Sequence, residues 1–199
     1  MARPSHRDKL LTEGMRVVHR RGFGGASVRD IVQAAGVPQG SFTNHFASKE
    51  AFGLEVLDLY FVASLDTLHA TLGNVERKPL DRLRDYIDAH VDSLVEDGMS
   101  NGCLFGNLCA EANDASEAIR VRLVEIFAHI EHEIADCLRA ARKAGQLAPR
   151  ANVDELAAFI VSGLQGSMLL AKTNLSAQPM RTFERLLFKS VLVAPRHHA

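Results

Sequence analysis

The chain has 199 residues, of which 47% are hydrophobic and 24% charged, and only 6 are Pro. That balance suits one compact domain, or two small units sharing a helix, and excludes a disordered polymer. No apolar run approaches the roughly 18 consecutive residues of a bilayer-crossing helix. The opening MARPSHRDKL lacks the apolar core of a secretory signal, so a cytoplasmic protein is expected. The formal net charge of -1 hides an asymmetry, because residues 1–50 carry eight Lys/Arg against four acids and the remainder 15 against 20. A basic head on an acidic body points to contact with a polyanion at one end only.

Every predicted element is helical, and the fold class is all-α. From about Ser5 to Arg21 the apolar residues Leu10, Leu11, Met15 and Val18 recur at helical spacing, and Gly22, Gly24 and Gly25 close this first helix. Ser27 is the expected N-cap of a second, with Asp30 in its first turn and Val28, Ile31, Val32 and Ala35 on its apolar side, and Gly36 stops it. Pro38 opens a third, QGSFTNHF, which is too short to stand unless it packs on its neighbours. Ser48 caps a fourth that runs through Phe52, Val56, Leu59 and Tyr60 toward Gly73. Pro79 opens a fifth that ends at Gly98. A short sixth covers about Cys103 to Ala112. Asp114 introduces a long seventh, with Ile119, Leu123, Phe127, Ile130, Ile134 and Leu138, that ends at Gly145. Asn152 caps the eighth, and the ninth runs from near Pro179 to before Pro195. No segment alternates as a strand would.

The second and third helices, joined by a Gly turn, make a helix-turn-helix whose second member reads the major groove of double-stranded DNA. Phe42 and Phe46 stand four apart, share one face and dock the reading helix onto Ile31. Gly40 and Asn44 lie opposite. Gly40 lets the backbone approach the duplex, and Asn44 offers a donor and an acceptor to a base edge. Gln39 and Thr43 form a flanking row suited to adenine and to a thymine methyl. Ser41 and His45 complete the expected contact set, and Ser27, Arg29 and Lys49 are the phosphate partners, two of them at helix starts. Singly, each of these is an ordinary cap or surface residue; the arrangement carries the reading.

From Ser27 to Phe52 the chain resembles the TetR/AcrR family signature: a cap residue, an Ala-Gly turn, a Gly-containing reading helix ending in His45-Phe46, and Ser48-Lys49-Glu50 opening the next helix. The resemblance implies nine helices, a DNA-binding head over residues 1–50 and a ligand-binding, dimerising body over 51–199. It also implies a repressor that leaves its operator when an effector fills the body. Thr43 stands where family members commonly carry Tyr, so the operator cannot be read from relatives.

The eighth helix places Leu156, Phe159, Ile160, Leu164, Met168 and Leu169 around most of its circumference, so it needs cover on more than one side. One side suits its own body and the other a twin. Phe159, Gly163, Gly166 and Leu170, with Phe183 and Leu187 of the ninth helix, form the expected four-helix homodimer interface. The alternative is an internal hairpin in a monomer. Two-fold symmetry in turn requires a palindromic operator.

The segment NGCLFGNLCAE, from Asn101 to Glu111, resembles the GCLxGN segment of NemR-like, electrophile-sensing members of that family. The resemblance makes Cys103 a candidate sensor thiol. A helix start favours thiolate character, and Lys172 would add to it if the fold brings the two together. The plainer alternative is a buried, inert Cys103, with a noncovalent apolar effector held among Phe105, Leu108, Phe127 and Leu164. Cys109 and Cys137 are expected to pack, and the three cysteines should be thiols. His129 and His132 among Glu125, Glu131 and Glu133 suggest a solvated face rather than a metal site, and no cofactor is expected. Two other functions compete: an enzyme with Cys103 as nucleophile, His90 or His129 as base and Glu111 as orienter, and a sequence-nonspecific DNA-binding protein.

Overall fold

The computed structural model describes residues 5–193, with the side chains of 112–115 excepted. Among the described residues there are nine α-helices and no strand: α1 His6–Gly25, α2 Val28–Ala35, α3 Gly40–His45, α4 Lys49–Thr71, α5 Pro79–Glu96, α6 Leu104–Ala115, α7 Glu117–Lys143, α8 Val153–Asn174 and α9 Gln178–Leu186. A π-helical turn, Leu187–Val191, continues α9. The expected stop before Pro195 and any capping by the Asp114 side chain lie outside the described residues.

Capping explains most boundaries. Ser5 and Ser27 each build a reciprocal capping box, with Asp8 and Asp30. Ser48 Oγ accepts the Ala51 amide at 3.0 Å, and Asn152 Oδ1 accepts that of Glu155 at 3.4 Å. Two boundaries differ from expectation. α1 ends within the glycine run, at Gly25, but not at its first glycine. Gly22, at φ 77, kinks it, and one further turn runs to Gly25. The long helix begins after Ser116 rather than at Asp114, because Ser116 Oγ accepts the Ile119 amide at 3.2 Å and restarts the helix.

The chain divides into two compact units, 1–63 with 104–125, and 64–103 with 126–199. In the first, Leu10, Val18, Ile31, Phe42, Phe46, Phe52 and Val56 form a buried core shared by α1 to α4. Its aromatic centre is a triangle, with ring centroids of Phe42, Phe46 and Phe52 between 5.1 and 5.4 Å apart. Gly14 admits this cluster, since a side chain there would collide with Phe52 and Ile31. In the second unit Leu83, Ile87, Ile134, Leu138, Ile160, Leu164 and Met180 are buried. There α8 packs on α9, and the Arg181 guanidinium pairs with Asp88 of α5. By length and composition α8, with 22 residues and a window of mean hydropathy 1.3, could cross a membrane. Its pairing with α9 identifies its inner side as core.

Candidate nucleic-acid interface

α3 has only six residues and no side-chain cap, so it holds its place through its neighbours. Phe42 and Phe46 are 2% and 3% exposed and anchor it. At its N-terminus the Ser41 amide donates to Pro38 O at 2.9 Å, and at its end the Phe46 amide donates to Phe42 O at 2.9 Å. The Arg7 guanidinium of α1 lies 5.7 Å from the Phe46 ring and pairs with Glu55 of α4, tying α1 and α4 together at the end of the helix.

That anchoring leaves Gln39, Gly40, Thr43, Asn44 and His45 together on the exposed side. A side chain at Gly40 would meet nothing within 4 Å, so the face is open there. Thr43 Oγ1 donates to Gly40 O at 3.1 Å, leaving its methyl group for contact. Ser41 does not join this set. It is 8% exposed, and its hydroxyl lies 3.3 Å from His6 Nδ1, because its position falls on the inner side beside Phe42.

The expected phosphate partners fare unequally. Arg29 is exposed on α2. Ser27 is exposed, but its hydroxyl donates to Asp30 Oδ2 at 2.6 Å and accepts the Asp30 amide at 3.1 Å. The Ser27 hydroxyl bond, then the Ser27 amide bond, hold the Asp30 carboxyl below its ordinary 3.8, so a carboxylate already occupies part of the α2 N-terminus. Lys49 turns inward. Its Nζ lies 4.7 Å from the Phe23 ring centroid and 3.5 Å from Gly24 O, so it secures the bend after α1.

In the body, Cys103 directly precedes α6 and is 8% exposed, with Gln165 Nε2 at 3.5 Å from its Sγ. Gln165, which periodicity gave no reason to single out, is a polar neighbour of the thiol. Phe127, Leu164 and Lys172 belong with Cys103 to the second unit, where Lys172 lies in the last turn of α8, while Phe105 and Leu108 belong to the first. Phe105 stacks edge-on with Tyr60 at 4.8 Å. Cys137 is buried, as expected, and donates to Pro79 O at 3.1 Å; burial pushes its thiol up to about 11. Cys109 is exposed and not a packing residue. His129 and His132 each face a carboxylate one turn on, Glu133 and Asp136, and no three ligating side chains gather among the described residues.

Of the expected interface residues, Phe159 and Leu170 are 49% and 54% exposed, and Leu169 and Leu186 beside them 61% and 52%. Gly166 has nothing within 4 Å of a notional side chain. Gly163 and Leu187 depart from the expectation. Gly163 admits the Phe183 ring of its own chain, and Leu187 is 1% exposed inside it. Phe183 is half-buried, stacked at 6.4 Å on Phe159.

Residues 79–187 match the family model of a tetracyclin repressor-like C-terminal domain, and residues 10–56 that of bacterial regulatory proteins, tetR family. The chain belongs to the TetR family. Over 96% of its length, and 95% of the relative's, it is 35% identical to the HTH-type transcriptional repressor DhaR of Mycobacterium sp. (strain GP1). A TetR regulatory protein from Rhodobacter sphaeroides superposes with a TM-score of 0.88 at 28% identity, covering 91% of this chain and 96% of that one. The reduced form of NemR from Escherichia coli does so with 0.87 at 27%, covering 96% and 98%. A TetR-family chain is a ligand-responsive DNA-binding transcription regulator and not an enzyme. The head and body that this family pairs are the parts the two models match separately.

Proposed function

We propose that this TetR-family protein is a homodimeric repressor that binds a palindromic operator and leaves it when a small effector or electrophile reaches the body, with residues 1–50 as head and 51–199 as body. The carrying observation is the exposed row Gln39, Gly40, Thr43, Asn44 and His45 on a helix pinned from behind by Phe42 and Phe46. Arg29 and Ser27 flank it as phosphate contacts, and Lys49 supports it from within. The exposed apolar residues of α8 and α9 are the surface that a second copy covers. DhaR and NemR are named as repressors, which supports the sign of the regulation. The protein acts in the cytoplasm, where operator DNA lies.

Selection from a random duplex pool tests the first part. A palindrome with half-sites one or more helical turns apart is the expected product. Gln39→Ala should blur preference at particular bases, at a cost of about 1–3 kcal/mol per lost contact. Recovery of sequence-independent binding that modest salt abolishes would replace the reading by a nonspecific one.

Cys103 as sensor is favoured by its place immediately before α6 and by a solved relative whose reduced form was defined. N-ethylmaleimide should release wild-type protein from the selected duplex and leave Cys103→Ser bound. Equal release of both would refute Cys103 as the sensor and assign the response to another nucleophile, such as the exposed Cys109; release of neither would leave a noncovalent effector as the working model.

A further inference from the structure

The α1–α2 bend is built from Gly22 to Ala26, and its backbone is held from outside the head helices. The Phe23 amide donates to Glu111 Oε1 at 3.2 Å and the Gly24 amide to Glu111 Oε2 at 2.6 Å. The carboxylate comes from α6, 88 residues away in sequence from Phe23. The Gly24 carbonyl, in the next peptide unit, accepts from Lys49 Nζ at 3.5 Å. Gly24 is thus held through its amide by an acid of α6 and through its carbonyl by a base of α4. Gly22 makes the approach possible: at φ 77 it turns the following amides toward Glu111, and a side chain on it would occupy the carboxylate's own position.

We propose that Glu111 is a positioning residue for DNA recognition: by accepting the Phe23 and Gly24 amides it holds the α1–α2 bend in the form that presents the reading helix. The inference rests on the DNA-binding reading above. Two amides on one carboxylate are charge-assisted bonds, which are stronger than neutral ones. What they fix matters because Phe23, 6% exposed, is wedged against Gly53 of α4, where a side chain would collide with its ring. The bend therefore sets α2 relative to α4, and α3 spans the two. Lys49 alone cannot hold the bend, since it meets a carbonyl and leaves both amides without the acceptor.

The test uses the full-length dimer and the duplex selected by the wild type, with fluorescence anisotropy for binding and hydrogen exchange for the bend. Glu111→Ala should bind that duplex about tenfold more weakly, as if only about a tenth of heads were competent. Its affinity for random duplex should be unchanged, because no group that touches phosphate is altered. The Phe23 and Gly24 amides should lose protection while those of α1 before Gly22 keep theirs. Glu111→Gln, which retains one carbonyl acceptor, should keep the Gly24 bond and lose less affinity, and it serves if the alanine variant does not fold. Wild-type affinity for the selected duplex in both variants, or unchanged protection of the two amides, overturns the proposal. An equal loss on selected and random duplex does so as well, since it indicates general damage. A wild type that selects no duplex overturns the regulator reading instead, and the exchange measurement then still reports whether Glu111 fastens the bend.

Discussion

Phe42 and Phe46 fix what the reading helix displays, since a six-residue helix without a cap takes its rotation from its buried side. With Phe42 and Phe46 inward, Thr43, Asn44 and His45 face outward, and Ser41 is carried inside against His6. In the body, His90 is a residue whose environment has a measurable consequence. Its ring stacks edge-on against Tyr86 at 4.6 Å, and burial pushes its pKa from 6.5 down to about 4. The folded protein keeps His90 neutral while the unfolded chain takes up a proton as pH falls below 6.5. The stability it supports is therefore complete above that value and is lost as pH falls toward about 4. His90 as a whole residue is half-buried although protein surrounds its ring closely, so the loss near pH 5 is set at about 1 kcal/mol, below the roughly 2 kcal/mol of a fully enclosed group. His90→Phe removes this slope. Urea melts of the two proteins between about pH 7 and pH 5 should converge as the wild type weakens, and parallel curves would place the ring in ordinary solvent.

Most helix boundaries made by a local signal were legible in the sequence, the Ser116 cap of α7 excepted. Ser27, Ser48 and Asn152 cap as their spacing implies, and Gly36 ends α2 at φ 60. Where the decisive partner is distant, local reading fails. Glu111 enters the sequence reading only as the orienter of a competing enzyme and is the acceptor for a bend in α1, and Lys49 looks like a phosphate ligand and lies on the Phe23 ring. Neither contact has a period or a motif, because both are created by tertiary packing. Small residues divide in the same way. Gly163 and Gly166 stand three apart on α8 and read alike, yet the first meets Phe183 of the same chain and the second meets nothing. The two are therefore separable by experiment. Gly163→Ala forces the Phe183 ring to move and should cost about 1–3 kcal/mol in thermal or urea unfolding. Gly166→Ala should leave the folding of one chain unharmed, even slightly favoured as Ala replaces Gly in a helix by about 0.5–1 kcal/mol. Any weakening it causes appears in the dimerisation constant. Reversal of this order would mean that Phe183 sits elsewhere.

At the scale of the whole molecule, the outer side of α8 and α9 decides whether the reading helix acts once or twice. Phe159, Leu169, Leu170 and Leu186 are between 49% and 61% exposed, large apolar side chains on the two helices that the proposed dimer joins. In the proposed homodimer a twin related by two-fold symmetry would cover this surface with the same residues, so that both heads would meet DNA as one body. The energetic consequence is large because the second half-site is bound at the effective concentration set by the first. Avidity of this kind contributes about 10²–10⁴ in affinity without a new contact. Phe159→Glu with Leu170→Arg places charges in the middle of that surface while leaving the inward residues Ile160, Leu164 and Met168 in place. Sedimentation should show monomers with unchanged helical content. Binding to the palindromic duplex should fall by at least about a hundredfold, to the level of a duplex carrying one half-site, whereas wild type should distinguish the two duplexes strongly. If the variant still binds the palindrome more tightly than the half-site, the two heads are joined through another surface.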